Sequence, residues 1–189
     1  MTDAGYGTPA PVGLLYTEEE RQRRDRTVWT LVQGILAPVQ FVVFLVSLGL
    51  ILHFLVTGRG QMPAEVSVVV KTLTLYAIMV TGAIWEKEVF GCYLFARPFF
   101  WEDVFSILVL ALHTAYLAAL FLALLSPAGL MLLALAAYAT YLVNAGQFLW
   151  KLRLARLDHA ARQAQALSPD GPALRPALQP ALKPAGAAR

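Results

Sequence analysis

Charged side chains are missing from two long stretches of this 189-residue sequence. No Asp, Glu, Lys or Arg occurs between Thr27 and Gly58, or between Val104 and Trp150. Charged residues make up only 14% of the chain and hydrophobic residues 58%, whereas soluble domains carry about 25% charged residues. This composition excludes a water-soluble domain and predicts an integral membrane protein.

Other absences narrow the chemistry. A single cysteine, Cys92, excludes an internal disulfide and a cysteine-based metal cluster. No GxGxxG, Walker or GxSxG motif occurs, which argues against nucleotide-dependent, hydride-transfer and acyl-transfer reactions. The net charge of +3 comes from residues beside the apolar stretches and in the C-terminal tail, so no nucleic-acid partner is predicted. What remains is acid–base chemistry without a dissociable cofactor, or no chemistry.

Four apolar stretches are long enough to cross a bilayer, which takes about 20 mostly apolar residues. They cover residues 29–56, 66–85, 104–125 and 130–150, and the sequence SPAG at 126–129 predicts a tight hairpin between the last two. The predicted fold is an all-α, four-helix transmembrane bundle over residues 27–157. Residues 1–26 are predicted to be a disordered N-terminal segment. Residues 158–189, with a proline at every fourth position from Pro172 to Pro184, predict a disordered Pro/Ala/Leu-repeat tail.

Basic residues cluster before the first span and after the fourth. They are Arg21, Arg23, Arg24, Arg26, Lys151, Arg153 and Arg156. Because loops rich in Lys and Arg stay in the cytoplasm, both termini are predicted to be cytoplasmic. The loop between the second and third spans then faces the cytoplasm as well.

Each span carries polar residues at helical spacing, which predicts a polar seam inside the bundle. Most such residues join helices by hydrogen bonds. His113 is either a structural hydrogen-bond donor or a ligand, and Lys71 is close enough to a helix end for its ammonium group to reach the membrane surface. The residues of the seam are Gln33, Gln40 and Ser47; Lys71, Thr74 and Thr81; Glu102, Ser106, His113 and Tyr116; Thr140, Asn144, Gln147 and Lys151.

The loop between the second and third spans combines carboxyl groups with aromatic rings. Glu86, Glu88, Glu102 and Asp103 lie among eight aromatic residues. Aromatic rings also form belts at membrane surfaces, and carboxylates favour helix N-termini, so anchoring and helix capping are the structural alternatives. The combination also suits proton chemistry on a flat apolar ligand.

Four phrases of the sequence resemble the 3-vinyl bacteriochlorophyllide hydratase family of bacteriochlorophyll a biosynthesis. They are LVQGILAPVQFVVFLVSLGL, VKTLTLYAIMVTGAIWEKEVFG, FFWEDVFSILVLALHTAYLAAL and AAYATYLVNAGQFLWKLR, in this order. The resemblance covers residues 15–157. It implies a hydro-lyase that adds water to the 3-vinyl group of chlorophyllide a or 3-vinyl bacteriochlorophyllide a, giving a 3-(1-hydroxyethyl) pigment. The implied location is the bacterial cytoplasmic membrane, either inner or intracytoplasmic photosynthetic.

This reaction needs an acid that is protonated near neutral pH and a second group that orients or deprotonates water. Glu86 is the first candidate for the acid, because it lies between aromatic residues at the membrane surface. Glu102 is the second candidate. Asp103 completes the predicted catalytic set, with capping of the third helix as its alternative role.

Further residues are predicted to bind the pigment, and no cofactor is expected, because magnesium belongs to the substrate. His113 is a candidate axial ligand to that magnesium. Arg97 and Lys87 are candidates to bind the propionate group. The remaining predicted substrate-binding residues are Trp85, Trp101, Tyr116 and Asn144.

Two other functions compete with hydration. A pigment-binding or assembly protein would use the same rings and histidine without needing the acids. A small transporter or membrane scaffold is disfavoured, because four spans without inverted repeats are few for a transporter. The predicted partners are the pigment, water and the lipid bilayer, while a homo-oligomer and contacts with other pigment-biosynthesis enzymes stay open.

Overall fold

The structure is a computed structural model that describes residues 15–167. In that range all regular secondary structure is helical: α1 Glu18–Arg26, α2 Val28–Thr57, α3 Gln61–Phe90, α4 Phe100–Phe121 and α5 Pro127–Leu167, with a 3-10 turn at Arg97–Phe99. Four segments are long and apolar enough to cross a membrane: Val28–Thr57, Gln61–Phe90, Arg97–Phe121 and Pro127–Leu157. The predicted all-α fold with four spans is confirmed, and the chain is a multi-pass membrane protein.

Helices α2 and α3 have 30 residues each. Each is about 45 Å long at 1.5 Å per residue, which exceeds a hydrocarbon layer of about 30 Å. Their ends therefore reach the interface. They pair through two polar contacts, Gln33 Nε2 to Thr81 Oγ1 at 2.7 Å and Ser47 Oγ to Ser67 Oγ at 2.7 Å. These contacts fix the two helices as an antiparallel pair.

The centre of the bundle is aromatic. The Phe44 ring is 2% exposed and lies 5.2 Å from the Tyr138 ring and 5.1 Å from the Tyr141 ring. The Tyr138 hydroxyl donates to Ser47 Oγ at 2.6 Å, so the α2–α3 pair is also joined to α5. Further buried residues of this core come from all four spans, among them Ile51, Val68, Leu75, Val109 and Met131.

Helix α1 lies within the segment that the sequence analysis expected to be disordered. Thr17 and Glu20 form a reciprocal capping box, and Arg21 pairs with Glu18 at 2.7 Å. Such a box satisfies two backbone amides that the start of a helix leaves free. The Tyr16 ring, just before the cap, stacks on Phe90 at a centroid distance of 5.7 Å. These local bonds explain an ordered helix in a highly charged stretch.

The hairpin between the last two spans begins earlier than predicted. Helix α4 ends at Phe121, and α5 begins at Pro127, so the predicted turn at 126–129 is wrong in its bounds. Ser126 Oγ accepts from the Gly129 amide at 3.2 Å and thus caps α5. Proline is favoured at the first helical position, because its missing N–H has no partner there.

The C-terminal part of α5 forms a unit of its own that starts at Trp150. The helix continues to Leu167, whereas the predicted tail begins at residue 158. The predicted tail therefore starts with helical turns. Residues 168–189, which carry the proline repeat, lie outside the described residues, as do residues 1–14.

Candidate active site

Three carboxyl side chains are buried where α3 ends and α4 begins. Glu86 lies in the last turns of α3, and Glu102 and Asp103 lie in the first turn of α4. Their exposed fractions are 6%, 5% and 3%. Acidic side chains are rarely buried this far unless they are paired. The cluster therefore marks this end of the bundle as the candidate active site.

The carboxyl groups of Glu86 and Asp103 are close enough to share a hydrogen bond. An ionised carboxylate can only accept, so this bond requires a proton on one of the two groups. The pair thus offers one acidic hydrogen and one basic oxygen at the same place. Glu102, which the sequence analysis named as the second catalytic group, lies beside the pair and interacts electrostatically with Asp103.

Two consecutive backbone amides of the loop after α3 hold the pair. The Phe95 amide donates to Asp103 Oδ2 at 2.7 Å, and the Ala96 amide donates to Glu86 Oε2 at 3.3 Å. To aim both amides, Phe95 adopts a left-handed backbone with φ 63°. A bulky residue seldom adopts this conformation, and the strain costs about 1–3 kcal/mol. The loop is therefore built around the two carboxyl groups.

An aromatic wall borders the pair on the side of α1. The Trp85 ring meets Phe90 at 5.8 Å and Phe99 at 5.6 Å, both edge-on. Its indole Nε1 donates to Thr30 Oγ1 at 2.9 Å, which joins the wall to α2. Tyr16 adds a further ring to this wall, 6.3 Å from Phe99. Trp85 is thus a fixed part of the site's surroundings.

Three predicted binding residues lie at the surface around the loop. Trp101 is 66% exposed, and Arg97 is also exposed. Lys87 Nζ donates to the Gly91 carbonyl at 2.9 Å, which closes the C-terminus of α3. These side chains lie at the same end of the bundle as the carboxyl cluster, and the backbone amides that hold the Glu86–Asp103 pair belong to other residues.

The only cysteine of the chain, Cys92, is also close to the pair. Burial raises the pKa of the Cys92 thiol, and the negative charge of the nearby Glu86–Asp103 pair raises it further. A thiol with a raised pKa stays protonated at neutral pH and is a poor nucleophile. Cys92 is therefore not expected to take part in covalent chemistry.

His113 lies deeper in the bundle, ten residues after Asp103 on α4, which corresponds to about 15 Å along the helix. Its ring is fully buried and stacks on Tyr138 at 5.8 Å. Nδ1 lies 2.8 Å from the Val109 carbonyl, so Nδ1 carries the hydrogen and Nε2 has a lone pair. Among the described residues Nε2 has no hydrogen-bond partner. This tautomer is the one that metal-ligating histidines use.

The position of Lys71 differs from the prediction, which placed its ammonium group at the membrane surface. The side chain is 0% exposed, and Nζ lies 3.8 Å from the centre of the Tyr141 ring. Helix α3 begins at Gln61, five residues earlier than its predicted span, so Lys71 lies several turns from the helix end. A lysine at that depth has no short path to the surface.

Asn144 connects α5 to the helix turn that carries two of the acids. Its Nδ2 donates to the Glu102 carbonyl at 2.9 Å and to Ser106 Oγ at 3.0 Å. The side chain is 8% exposed. Sequence analysis predicted Asn144 to bind substrate, and the structure shows contacts that position the start of α4.

Replacing Asn144 by leucine removes both hydrogen bonds that join α5 to the start of α4. We expect Asn144→Leu to lower the free energy of unfolding by about 1–3 kcal/mol, measured by thermal or denaturant unfolding in detergent. Thr140→Val is the matched control, because Thr140 Oγ1 donates to the Ala137 carbonyl of its own helix and so does not join α5 to α4. Equal stability of the two variants would contradict this role of Asn144.

Sequence reasoning missed three features of the site. Tyr16 carries a detectable signal, since it directly precedes the Thr17 capping box and an apolar residue at that position often packs back on the fold. The left-handed conformation of Phe95 has no such signal, because glycine or asparagine would be expected there. The pairing of Glu86 with Asp103 depends on helix rotation, which the sequence does not determine.

Comparisons with known proteins agree over most of the chain. A family model described as 2-vinyl bacteriochlorophyllide hydratase matches residues 16–154. A protein of Cereibacter sphaeroides with this name is 67% identical over 155 residues, which is 82% of this chain and 96% of that protein. A protein of Rhodobacter capsulatus with the same name is 66% identical over 154 residues, 81% of this chain and 89% of that protein. No solved structure matches.

Proposed function

Since the chain belongs to the 2-vinyl bacteriochlorophyllide hydratase family, we propose that Glu86 and Asp103 add water to a pigment vinyl group by exchanging one proton. The chain is a hydro-lyase of bacteriochlorophyll biosynthesis, and its substrate is a vinyl bacteriochlorophyllide. The names 2-vinyl and 3-vinyl denote the same substituent in the older and the current numbering of the macrocycle. The buried Glu86–Asp103 hydrogen bond carries the mechanistic proposal.

In the first step, the protonated member of the pair gives its hydrogen to the terminal vinyl carbon. The π electrons of the vinyl group form the new C–H bond, and the O–H bond of the acid breaks. The inner carbon becomes a cation that is delocalised into the macrocycle. Both members of the pair are then carboxylates and place negative charge beside the cation, which stabilises it.

In the second step, water attacks the inner carbon and one carboxylate accepts the released proton. The pair returns to its starting state with one proton, and the vinyl group has gained one water molecule. Neither step uses a redox reagent or a cofactor, so we propose that the reaction needs none. General acid–base catalysis of this kind contributes roughly 10² to 10⁴ in rate, and correct placement of the vinyl group must supply more.

The central magnesium of the substrate gives His113 a role in this placement. We propose that His113 Nε2, which has a lone pair and no partner among the described residues, becomes its axial ligand. No three His, Cys, Asp or Glu side chains of the described part of the chain are grouped to hold a metal ion. The proposed contact is therefore a single bond to a metal that the pigment already holds.

We expect His113→Ala to weaken binding of the magnesium pigment by roughly tenfold, about 1.4 kcal/mol. Binding of the magnesium-free pigment should not change, because that pigment has no metal to ligate. Fluorescence quenching or absorption titration in nanodiscs measures both affinities. His53→Ala, which removes a histidine near the other end of α2, serves as the control. Equal losses for both pigments would indicate a packing role for His113.

The basic residues before the first span and after the fourth support a proposed orientation. Both termini would face the cytoplasm of a bacterial cytoplasmic or intracytoplasmic membrane. The carboxyl cluster is then at the cytoplasmic interface, where water is available for the second step. The exposed Arg97 and the Lys87 side chain lie at the same end. They are not proposed to bind the propionate group, because that group is attached beside the isocyclic ring and points away from this end when the vinyl group is at the acid pair.

The proposed function is tested with the purified chain in nanodiscs and two pigments, chlorophyllide a and 3-vinyl bacteriochlorophyllide a. Hydration removes a double bond from conjugation, so the absorption maximum of the extracted pigment shifts to the blue, and its mass rises by one water. The pigment with the higher kcat/KM is the preferred substrate. If the pigment binds but is extracted unchanged, the chain is a pigment-binding protein and the proposal is wrong.

A further inference from the structure

Three buried donors in the middle of the bundle lack a hydrogen-bond acceptor among the described residues, although Lys71 Nζ lies over the face of the Tyr141 ring. Among the described residues, Lys71 Nζ, Gln40 Nε2 and the Tyr116 hydroxyl have no hydrogen-bond partner. The three side chains are 0%, 3% and 0% exposed. A buried polar group without a partner is costly, and a lysine in a bilayer more so. The mechanism above uses none of these donors.

The three donors lie at one level of the bundle. Two contacts join the antiparallel helices α2 and α3, Gln33 with Thr81 and Ser47 with Ser67. Gln40 is midway between them on α2 and Thr74 is midway on α3, so Gln40 is level with Thr74 and about one turn from Lys71. The Tyr76 hydroxyl lies 2.8 Å from Thr114 Oγ1. Because α3 and α4 are antiparallel, two residues further along α4 Tyr116 is level with Thr74. All three side chains are buried, so they point toward the inside of the bundle. Lys71 is also close enough to His113 for their charges to interact.

The type of these groups defines the ligand they would take. A lysine ammonium, an amide NH₂ and a phenol all donate hydrogens, so the missing partner is rich in acceptor oxygens. No carboxylate of the described chain forms a salt bridge with Lys71. A carbonyl group of a bound ligand meets this need at a depth where water is scarce.

The order of groups along the bundle matches the order of groups across the substrate. The acid pair comes first, then His113 Nε2, and then the donors. Tyr116 is 13 residues from Asp103 on α4, about 20 Å between backbone positions along the helix. Side chains lean toward the helix N-terminus, so the Tyr116 hydroxyl lies closer to the acid pair than this. In a chlorophyllide, the vinyl group and the isocyclic ring, with its conjugated keto and ester carbonyls, lie on opposite edges of the macrocycle, and magnesium lies between them.

We propose that Lys71, together with Gln40 and Tyr116, binds the carbonyl oxygens of the isocyclic ring of the substrate. This inference rests on the proposed function. The macrocycle then lies edge-on in the bundle, with its vinyl group at Glu86 and Asp103. The side chains that now fill the centre, Phe44 and Tyr138 among them, have to move when the pigment enters.

This arrangement explains how one substituent is selected for hydration. A macrocycle bound by its apolar faces alone could rotate in the bundle and present other edges to the acid. Donors that require a carbonyl at the far edge favour one orientation, because any other leaves Lys71 with only its contact to the Tyr141 ring. Sites that hydrogen-bond a substrate group discriminate strongly against analogues without it.

The first test is vibrational and needs no catalytic activity. A hydrogen bond weakens the keto C=O bond, so resonance Raman spectra of bound pigment should show the keto stretch at lower frequency than in a non-bonding solvent. In Lys71→Met the stretch should return to the higher frequency. Lys151→Met, a lysine in the C-terminal unit, is the matched control and should keep the lowered frequency. An unlowered stretch in the unsubstituted chain would overturn the inference.

The second test compares the pigment with an analogue in which the keto oxygen is replaced by two hydrogens. The unsubstituted chain should bind the keto pigment about tenfold more tightly than the analogue, as expected for one lost hydrogen bond to a charged donor. Lys71→Met should bind both equally. Tyr116→Phe, which removes only a hydroxyl, provides a milder second variant and should reduce the ratio. Equal affinity of the unsubstituted chain for both pigments, or a ratio of tenfold that persists in both variants, would overturn the inference.

Hydration is measured in the same samples, so the two proposals can fail separately. If the unsubstituted chain hydrates the vinyl group but shows neither the lowered stretch nor the keto preference, only this inference is wrong. If it shows both but releases unchanged pigment, the inference about binding holds and the proposed function is wrong.

Discussion

Glu86→Gln is expected to reduce kcat for vinyl hydration by 10² to 10⁴, the range of general acid–base catalysis, while pigment still binds. Glutamine can keep the hydrogen bond from the Ala96 amide through its carbonyl oxygen, and its NH₂ can donate to Asp103. The local geometry is therefore preserved. An amide, however, cannot give a proton to an olefin. The measurement is the initial rate of the blue shift at saturating pigment, together with the affinity from titration.

Glu88→Gln is the matched control for this variant. Glu88 lies in the same last turns of α3, and its carboxylate bonds to Thr27 and to Trp29 Nε1 instead of to another acid. Glutamine can retain an acceptor for these bonds, so kcat should stay near that of the unsubstituted chain. Full turnover of Glu86→Gln would remove Glu86 from the proposed mechanism. Loss of activity in both variants would show that the helix end, and not the acid, is required.

Asp103→Asn should reduce kcat to a similar extent, for a different reason. Asparagine still accepts from the Phe95 amide, but its NH₂ donates to Glu86 and holds that group as a carboxylate. The site then contains a base without an acid. Measured at saturating pigment, kcat should fall by 10² or more, and the affinity for pigment should change little.

The double variant Glu86→Gln/Asp103→Asn tests whether the two residues share one proton or contribute to kcat independently. Residues that act as one unit show effects that do not add. The double variant should therefore be about as slow as either single variant. A rate equal to the product of the two single losses would contradict the shared proton. Retained activity of Asp103→Asn would instead favour Glu102 as the partner of Glu86.

The sequence was sufficient for the architecture because lipid imposes a simple rule. Apolar runs such as residues 29–56 have to cross the membrane as helices, since their backbone groups find no partner in hydrocarbon. The bounds were less predictable. Helix α3 covers Gln61–Phe90 instead of 66–85, because its polar ends leave the hydrocarbon but continue their backbone hydrogen bonds. Hydropathy reports the thickness of the membrane and not the length of the helix.

For the site, the sequence identified the correct residue types but not their partners. Glu86, Glu102 and Asp103 had to be near one another, because a short loop joins their helices. Which two share a proton depends on the rotation of α3 and α4 about their axes, and tertiary packing determines that rotation. Lys71 was assigned wrongly for a related reason: its depth depends on where α3 begins, and the first turn of α3 is not apolar.

The loop that holds Glu86 and Asp103 has a consequence for when the enzyme is active. Glu86 belongs to α3 and Asp103 to α4. The connection at 91–96, which contains the strained Phe95, holds both carboxyl groups through the Phe95 and Ala96 amides. If α2–α3 and α4–α5 separate to admit a macrocycle, the proton that Glu86 and Asp103 share stays on only one of them. The reactive state is then restored only after reclosure. Because the acid pair forms only in the closed bundle, a partly inserted pigment would not be protonated at the wrong carbon.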